Sequence, residues 1–427
     1  MTFLPGDISG LQSLTDDDHL YPDHINEFRQ SMLAAVVVGK TPNCQYYCDG
    51  EDDDVQLQAA IDAAELVGGI VFIKAGTYNL STGLVTNNKG ISIIGEGKCD
   101  IRSGEVGESD LGVVLNYTGA GSALKIDKDE SQRFYDFKNF TIVGSSSGAK
   151  GLDLNYAPRS QFENILVTGF SNGYGIYMKN MWGSKFINCQ AEYNNIGWFI
   201  DSNCHHANFF SCDALHNAYG VQNDPGNSSF DSCLWLGGTV SHNTEKGFNF
   251  NLCNSWIIDG VYSELSEVEN ADYLYYLDNC KYYSLRNPTI LIAGSPSNTD
   301  VIHFQACSHG LTLFPVLKTT LGAGKYDIVF NNTSTNNTVI YTKDLAISDI
   351  KINLGTSLTN NIIPLYNGRF GSNTFEASNS IILDKITSIN HSVATDKATL
   401  YLIQTGGKYQ IKVRWPSGSA EIIKAES

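Results

Sequence analysis

Short runs of alternating apolar and polar residues, each broken after a few positions by glycine or asparagine, fill the middle of this 427-residue chain. Alternation with a period of two predicts strands, because successive side chains on a strand point to opposite faces. The runs also repeat. One line reads Phe137-Lys-Asn-Phe140 and returns as Phe162-Glu-Asn-Ile165, Phe186-Ile-Asn-Cys189, Phe209-Phe-Ser-Cys212 and Phe230-Asp-Ser-Cys233, at spacings of 25, 24, 23 and 21. A second reads Gly151-Leu-Asp-Leu, Gly175-Ile-Tyr-Met, Gly197-Trp-Phe-Ile, Gly220-Val-Gln-Asn and Gly247-Phe-Asn-Phe, at spacings of 24, 22, 23 and 27. Periods in this range mark stacked supersecondary units, and the period-two pattern inside each unit predicts a coil of strands, not a helical solenoid.

Setting the copies in register sorts their side chains. Along the Gly line, Leu152, Ile176, Trp198, Val221 and Phe248 point inward, as do Leu154, Met178, Ile200, Asn223 and Phe250 two residues later. The outward columns are then Asp153, Tyr177, Phe199, Gln222 and Asn249, followed by Asn155, Lys179, Asp201, Asp224 and Asn251. Just before this line Asn194, Asn217 and Asn243 recur, at positions read as turns where asparagine tolerates unusual backbone angles and can bond its neighbour one copy away. Cys189, Cys212 and Cys233 recur at one point of successive copies, and Cys253, Cys280 and Cys307 at intervals of 27. Repeat-matched cysteines read as apolar fillers of the core. For Cys44 and Cys48, outside the repeat, a local disulfide, a metal site and two free thiols stay open.

The flanks differ from the middle. Residues 1–40 form a separate segment in which Ile25, Phe28, Met32 and Leu33 share one helical face after the breaker Tyr21-Pro22-Asp23. Beyond about residue 319 the repeat blurs, and the limits of the coil are placed at about 41 and 345. Residues 346–427 end in Thr399-Leu-Tyr-Leu-Ile, Tyr409-Gln-Ile-Lys-Val-Arg-Trp and Ala420-Glu-Ile-Ile, which predict paired strands of a small β module.

Between the flanks and the repeat lies a recognisable signature. Asp49-Gly50, Asp52-Asp53-Asp54, Gln58, Ala60-Ile61-Asp62-Ala63-Ala64, Gly68-Gly69, Val71-Phe-Ile and Gly76-Thr-Tyr78 resemble the opening of the pectate-lyase-like superfamily, with Lys74 where that family often has proline. Physically, the stretch predicts a helix capped by Asp53 or Asp54, with Val55, Ala59, Ile61 and Leu66 apolar, stopped by Gly68-Gly69 and suited to cover the open end of a coil. The resemblance implies an all-β protein built on a right-handed, single-stranded parallel β-helix. The opening Leu4-Pro-Gly-Asp-Ile-Ser-Gly-Leu and Leu14-Thr-Asp-Asp-Asp-His are similar to the leaders of bacteriophage tail proteins. That likeness implies a homotrimeric tailspike or tail fibre on the virion, attached to tail or baseplate proteins through residues 1–40, assembled in the host cytoplasm and meeting a surface polysaccharide outside. A non-enzymatic virion protein and a secreted bacterial glycoside hydrolase or lyase are the alternatives.

Charge narrows the partners. With 28 Lys plus Arg against 45 Asp plus Glu the net charge is −17, which argues against nucleic acid and against an anionic membrane. No basic stretch followed by an apolar one opens the chain, so no secretory signal is expected, and Met32–Val38 is too short for membrane insertion.

No catalytic motif of the superfamily lies in the matched signature, so chemistry must be argued from the ladder. Adjacent rungs of a parallel coil are about 4.8 Å apart, which sets Asp201 and Asp224 near the carboxyl separation of retaining glycosidases. Like-charge proximity would raise one pKa and make an acid. Turn chemistry at Asp224-Pro225 is the competing account. On the Phe-line face Glu192 lies diagonal to Asp213, a wider pair suited to inversion, with His216 close by at the place of Tyr193. Tyr177, Phe199, Tyr193 and Trp182 are candidates for stacking on sugar rings, with Lys179 the one outward cation beside them. So few cations weaken an acidic-glycan lyase and leave a glycoside hydrolase as the enzyme class, with no cofactor or metal expected. The acidic insert from Tyr262 to Tyr276, with Glu264, Glu267, Glu269 and Asp272, reads either as a groove wall or as a solvated loop.

Overall fold

The computed structural model describes residues 35–86, 89–99, 112–127, 134–224, 230–265, 272–292 and 300–313, with shorter pieces beyond and terminal strands at 399–405, 408–414 and 420–425. The expected helical face at Ile25 to Leu33 and the acidic positions Glu267 and Glu269 lie outside the described residues.

The alternation does what a period of two requires. The Gly-line strands make a parallel sheet of 12 strands in which Leu152, Ile176, Trp198, Val221 and Phe248 pair in one column and Asp153, Tyr177, Phe199, Gln222 and Asn249 in the next. The first column is fully buried and joins the central core. Phe-line strands form part of a sheet of 19, whose inward column is Phe137, Phe162, Phe186, Phe209, Trp235, Ile258 and Leu285. Rings stack along it, at 4.9 Å for Phe162 and Phe186, 5.1 Å for Phe186 and Phe209 and 4.7 Å for Phe209 and Trp235. The whole is a parallel β-helix.

Register corrects two alignments made from sequence. Trp235, not Phe230, follows Phe209 in the inward column, while Phe230 pairs with Cys204. Cys233 accordingly leaves the Cys189 and Cys212 column. The Cys253, Cys280 and Cys307 column holds, since their neighbours Asn254, Lys281 and Ser308 pair rung to rung. All ten cysteines are free. Of the readings left open for Cys44 and Cys48, two free thiols is the one seen, and burial pushes the thiol of Cys48 up to about 12.

The asparagines divide their work between two corners. Asn139, Asn164 and Asn188 of the Phe line, followed by Ser211, occupy the left-handed region at φ 61°, 53°, 52° and 51°. Their amides bond rung to rung at 3.0 and 3.1 Å. At the other corner the left-handed residues are Tyr193, His216 and His242, and not Asn194, Asn217 and Asn243 as expected. Those three asparagines turn inward, where they are buried and bonded as a ladder. Asn194 Nδ2 and Asn217 Nδ2 each donate 3.2 Å to the next Oδ1, and the backbone N–H groups of the same residues donate to the same oxygens at 2.9 and 3.1 Å.

This ladder explains the glycines. A Cβ on Gly197 would lie 2.7 Å from the carbonyl oxygen of Gly220 and 2.8 Å from Asn217 Nδ2, and a Cβ on Gly220 would meet Gly247 O and Asn243 Nδ2 at 2.6 and 2.8 Å. Glycine line and asparagine ladder are one packed unit.

Helix α1, Asp53–Val67, covers the end of the coil and stops at Gly68 with φ 72°. Its buried face is Leu57, Ala60, Ile61 and Ala64, whereas Val55, Ala59 and Leu66 of the apolar set read from sequence face solvent, Val55 and Leu66 at 62% and 75% exposure. The aspartates tie the lid to the coil instead of capping it: Asp53 Oδ2 accepts from Lys40 Nζ at 2.6 Å and Asn79 N at 2.8 Å, and Asp54 Oδ2 accepts from Thr82 N at 2.6 Å. At the far end parallel pairing continues through Leu311–Leu313 with Thr338–Thr342, and through Ile352–Asn353 to Phe375–Glu376, past the limit near 345. Strands 399–405, 408–414 and 420–425 form an antiparallel sheet of three.

Candidate functional site

Outward positions of a strand coil, with its corners, are free to meet another molecule, and on this molecule the faces differ in chemistry. The outward side of the Gly-line sheet carries a cluster of aromatic rings. Tyr177 and Phe199, on neighbouring rungs, stack at 5.6 Å and 18°, and Tyr174 closes the group at 5.6 Å from Tyr177 and 4.8 Å from Phe199. All three are partly exposed. Lys150 places its ammonium over the Tyr177 ring, 3.3 Å from its centre, and 3.2 Å from Asp153 Oδ2, so one face of that ring is covered by a fixed cation. Tyr174 and Lys150 were absent from the sequence-derived set because both precede the outward columns that alternation brought out, each lying one position ahead of its Gly marker. The signal that finds them is register: Lys150 pairs with Tyr174, three positions before Asp153 and Tyr177.

Beside the platform sits Asp201. The Tyr177 hydroxyl and the Ser202 backbone N–H donate to its carboxylate, and Lys179 Nζ lies 3.5 Å from Oδ2. Burial raises its pKa, but these hydrogen bonds and the lysine charge outweigh it and hold the carboxyl below the ordinary range. Tyr177 moves the other way, pushed up by burial and by the carboxylate it donates to. Asp224 is one rung further, its N–H donating to Ile200 O at 3.0 Å, the carbonyl just before Asp201. Tyr177, Phe199, Lys179, Asp201 and Asp224 therefore share one face.

The second sequence-derived cluster lies across the Asn194 corner on the neighbouring face. Gln190 pairs with Asp213 and Glu192 with Leu215, so Glu192 and Asp213 are diagonal. Both oxygens of Asp213 are engaged, Oδ2 by Gln190 Nε2 at 2.8 Å and Oδ1 by Thr239 N at 2.7 Å. Tyr193 and His216 do stand together, their rings parallel at 4.9 Å, and the stack continues to His242 at 4.9 Å. His242 was missed although it precedes Asn243 as Tyr193 and His216 precede Asn194 and Asn217, and that shared position is the signal that finds it. Trp182 lies past the corner at Asn180, paired in backbone register with His205, and does not join the Tyr177 platform. Among the described residues no group of three or more His, Cys, Asp or Glu is gathered as a metal ion would need.

A third surface is apolar. Outward on the Phe-line sheet, Phe210, Leu234, Leu236 and Ile257 adjoin one another in register, and Leu236 is 42% exposed.

No protein-family model matches the chain. Over 190 residues, 40% of this chain, it is 27% identical to the tail spike protein of Shigella phage Sf6, and the match spans 28% of that protein's length. Among solved structures it resembles the tailspike of Acinetobacter phage vb_AbaP_AS12, with a TM-score of 0.52 and 12% identity over 92% of this chain and 81% of that one. It also resembles the DFA-IIIase of Arthrobacter chlorophenolicus A6, with a TM-score of 0.51 and 10% identity over 81% and 99%. At such identities the two structures speak for the fold: this chain is a parallel β-helix protein, similar over the 190 matched residues to a phage tail spike.

Proposed function

We propose that the chain works in a phage tail, where the outward face of the Gly-line sheet binds a host cell-surface polysaccharide and Asp201 with Asp224 cleaves it. The observation that carries this reading is the stacked, partly exposed Tyr177 and Phe199 pair beside a charged carboxylate. Aromatic rings left half in water present apolar edges to the C–H groups of a sugar, while Lys179 and Asp201 offer a donor and an acceptor to its hydroxyls. Asp201, held ionised, takes the role of nucleophile or charge stabiliser, and Asp224 one rung away that of the acid, in the short-spaced arrangement of a retaining glycosidase. Glu192 and Asp213 rank behind this pair, because the Tyr177 and Phe199 platform lies on the face of Asp201 and not on theirs.

Incubation with capsular or lipopolysaccharide glycans should release oligosaccharides, and Asp201→Asn should reduce release by about 100-fold or more while glycan retention persists. Retention by the wild-type protein with no release would leave binding in place and remove the catalytic assignment.

The residues ahead of the coil strand Ala35–Gly39 are proposed as the virion-attachment segment, shorter than the 1–40 expected because that strand pairs with Ile70–Ile73, and the chain as a homotrimer closed by the apolar outward columns at Phe210, Leu234, Leu236 and Ile257. Such a surface is a poor match for water and a good one for its own symmetry mate. Leu236→Lys is expected to shift the protein from trimer to monomer in sedimentation analysis at micromolar concentration. An unchanged trimer would place the subunit contact elsewhere.

A further inference from the structure

Three rungs beyond Phe199, in the register column that runs through Gln222 and Asn249 to Tyr276, the same face carries a second aromatic platform. At about 4.8 Å per rung it lies roughly 14 Å from the first. Tyr273 and Tyr276 share a rung with ring centres 5.0 Å apart, and His303 on the next rung lies 4.8 Å from Tyr273 and 5.4 Å from Tyr276. Lys246 reaches over from the rung before, its ammonium 4.1 Å from the Tyr276 ring centre and 5.6 Å from that of Tyr273.

What sets this platform apart is an unmet hydrogen-bonding demand. His303 is 7% exposed, and neither Nδ1 nor Nε2 has a partner. Between the platforms, Gln222 Oε1 and Asn251 Oδ1 are buried without partners as well. Buried polar groups are almost always satisfied, so a row of unsatisfied ones on one outward face marks the place of something that supplies the missing bonds. His303 is flanked by the two tyrosine rings, each partly exposed, on the rung before and by Val329 on the rung after.

We propose that Tyr273, Tyr276 and His303 form a second subsite for the same glycan strand, one that takes an uncharged, hydroxyl-bearing sugar ring. The inference rests on the glycan-binding reading of this face and adds where the strand runs and what charge it carries. A neutral imidazole offers one N–H donor and one acceptor nitrogen on opposite sides of the ring, which match two separate hydroxyls, one accepting and one donating. Desolvation keeps His303 below its ordinary pKa, against the pull of Asp300 and with the help of Lys246, so the neutral form is the one present near neutrality. Around the platform Glu245, Asp272, Asp278 and Asp300 outnumber the single Lys246 in the charge they project onto it, and a uronate would be repelled. Gln222 and Asn249 bridge the two platforms with amides, which bond hydroxyls without selecting a charge.

The test uses the full-length protein and a panel of bacterial surface glycans with neutral and acidic repeats, each as short and long oligosaccharides. Expected are hits with neutral repeats, for which Tyr276→Ala and His303→Ala weaken binding of the long oligosaccharide at least tenfold and leave the short one unchanged, whereas Phe199→Ala weakens both. Hits that lose nothing in Tyr276→Ala and His303→Ala would overturn the subsite and leave the glycan reading standing. Hits confined to acidic repeats would overturn the assigned charge, and no hits at all would overturn both readings. Should His303→Ala melt early, imidazole nitrogen shifts of wild-type His303 decide: movement on saturation with a hit supports the subsite, and none means that water alone fills the demand.

Discussion

Asn217→Ala is expected to destabilise the folded chain by about 3 kcal/mol, more than any exposed substitution on the coil. The amide of Asn217 sits 1% exposed inside the corner and is bonded in four directions. Its Oδ1 accepts from the N–H and the Nδ2 of Asn194, and its Nδ2 donates to Ala191 O at 3.0 Å and to Asn243 Oδ1 at 3.2 Å. Truncation removes the donor to the Ala191 carbonyl and the acceptor of the Asn194 N–H, and each buried group left unsatisfied costs about 1–3 kcal/mol. Gly197 packs against the same amide, so the vacated space opens onto the backbone of the next rung. Equilibrium urea denaturation checks the figure. A loss below about 1 kcal/mol would mean that water replaces the amide and that the ladder is dispensable.

Trp198→Ala should cost about as much or more, roughly 3–5 kcal/mol, as for other large aromatic truncations in cores. The indole is fully buried and meets Phe186 at 5.3 Å, Phe209 at 5.5 Å and Trp235 at 5.5 Å, all close to edge-on. It locks the inward column of one sheet to that of the other. Its Nε1–H donates to Asp213 O at 2.9 Å, so truncation also orphans a backbone carbonyl. In a coil each rung rests on its neighbours, and the expected signature is a lower denaturation midpoint together with a broadened transition as the central rungs open first. An unchanged midpoint would show that the stacked Phe column alone holds the sheets together.

Much of this was legible because the coil repeats one decision many times. A strand buried on one face must alternate, and five aligned copies fix the phase, so the pairing of Leu152, Ile176, Trp198, Val221 and Phe248 could be read from the Gly line alone. Where a copy gains residues the reading slips. The Phe-x-Ser-Cys run at Phe230 imitates the motif but falls in the Cys204 column, and only backbone pairing shows that Trp235 takes the Phe position. The asparagines misled for a different reason. Asparagine serves both a left-handed corner and a buried amide ladder, and sequence spacing cannot separate the two; φ 54° at His216, with Asn217 buried beside it, does.

The face chosen for chemistry was also readable, since Tyr177, Phe199, Lys179 and Asp201 follow from alternation. Their interplay was not. The hydroxyl of Tyr177 donating to Asp201 crosses one rung and depends on side-chain reach, which no period encodes. The same holds for Tyr273, Tyr276 and His303, which enter the column only through a register carried across five rungs from Tyr177.

The central claim is that the outward Gly-line face holds a glycan on its aromatic platform. The most direct measurement is equilibrium binding of a retained surface glycan to the wild-type protein and to the Tyr177→Ala, Phe199→Ala double variant, with circular dichroism confirming the fold of both. Two stacked rings contributing about 1 kcal/mol each predict a loss of affinity of roughly 30-fold. Affinity unchanged in a folded double variant would contradict the claim and move the search to the Tyr193, His216 and His242 stack on the neighbouring face.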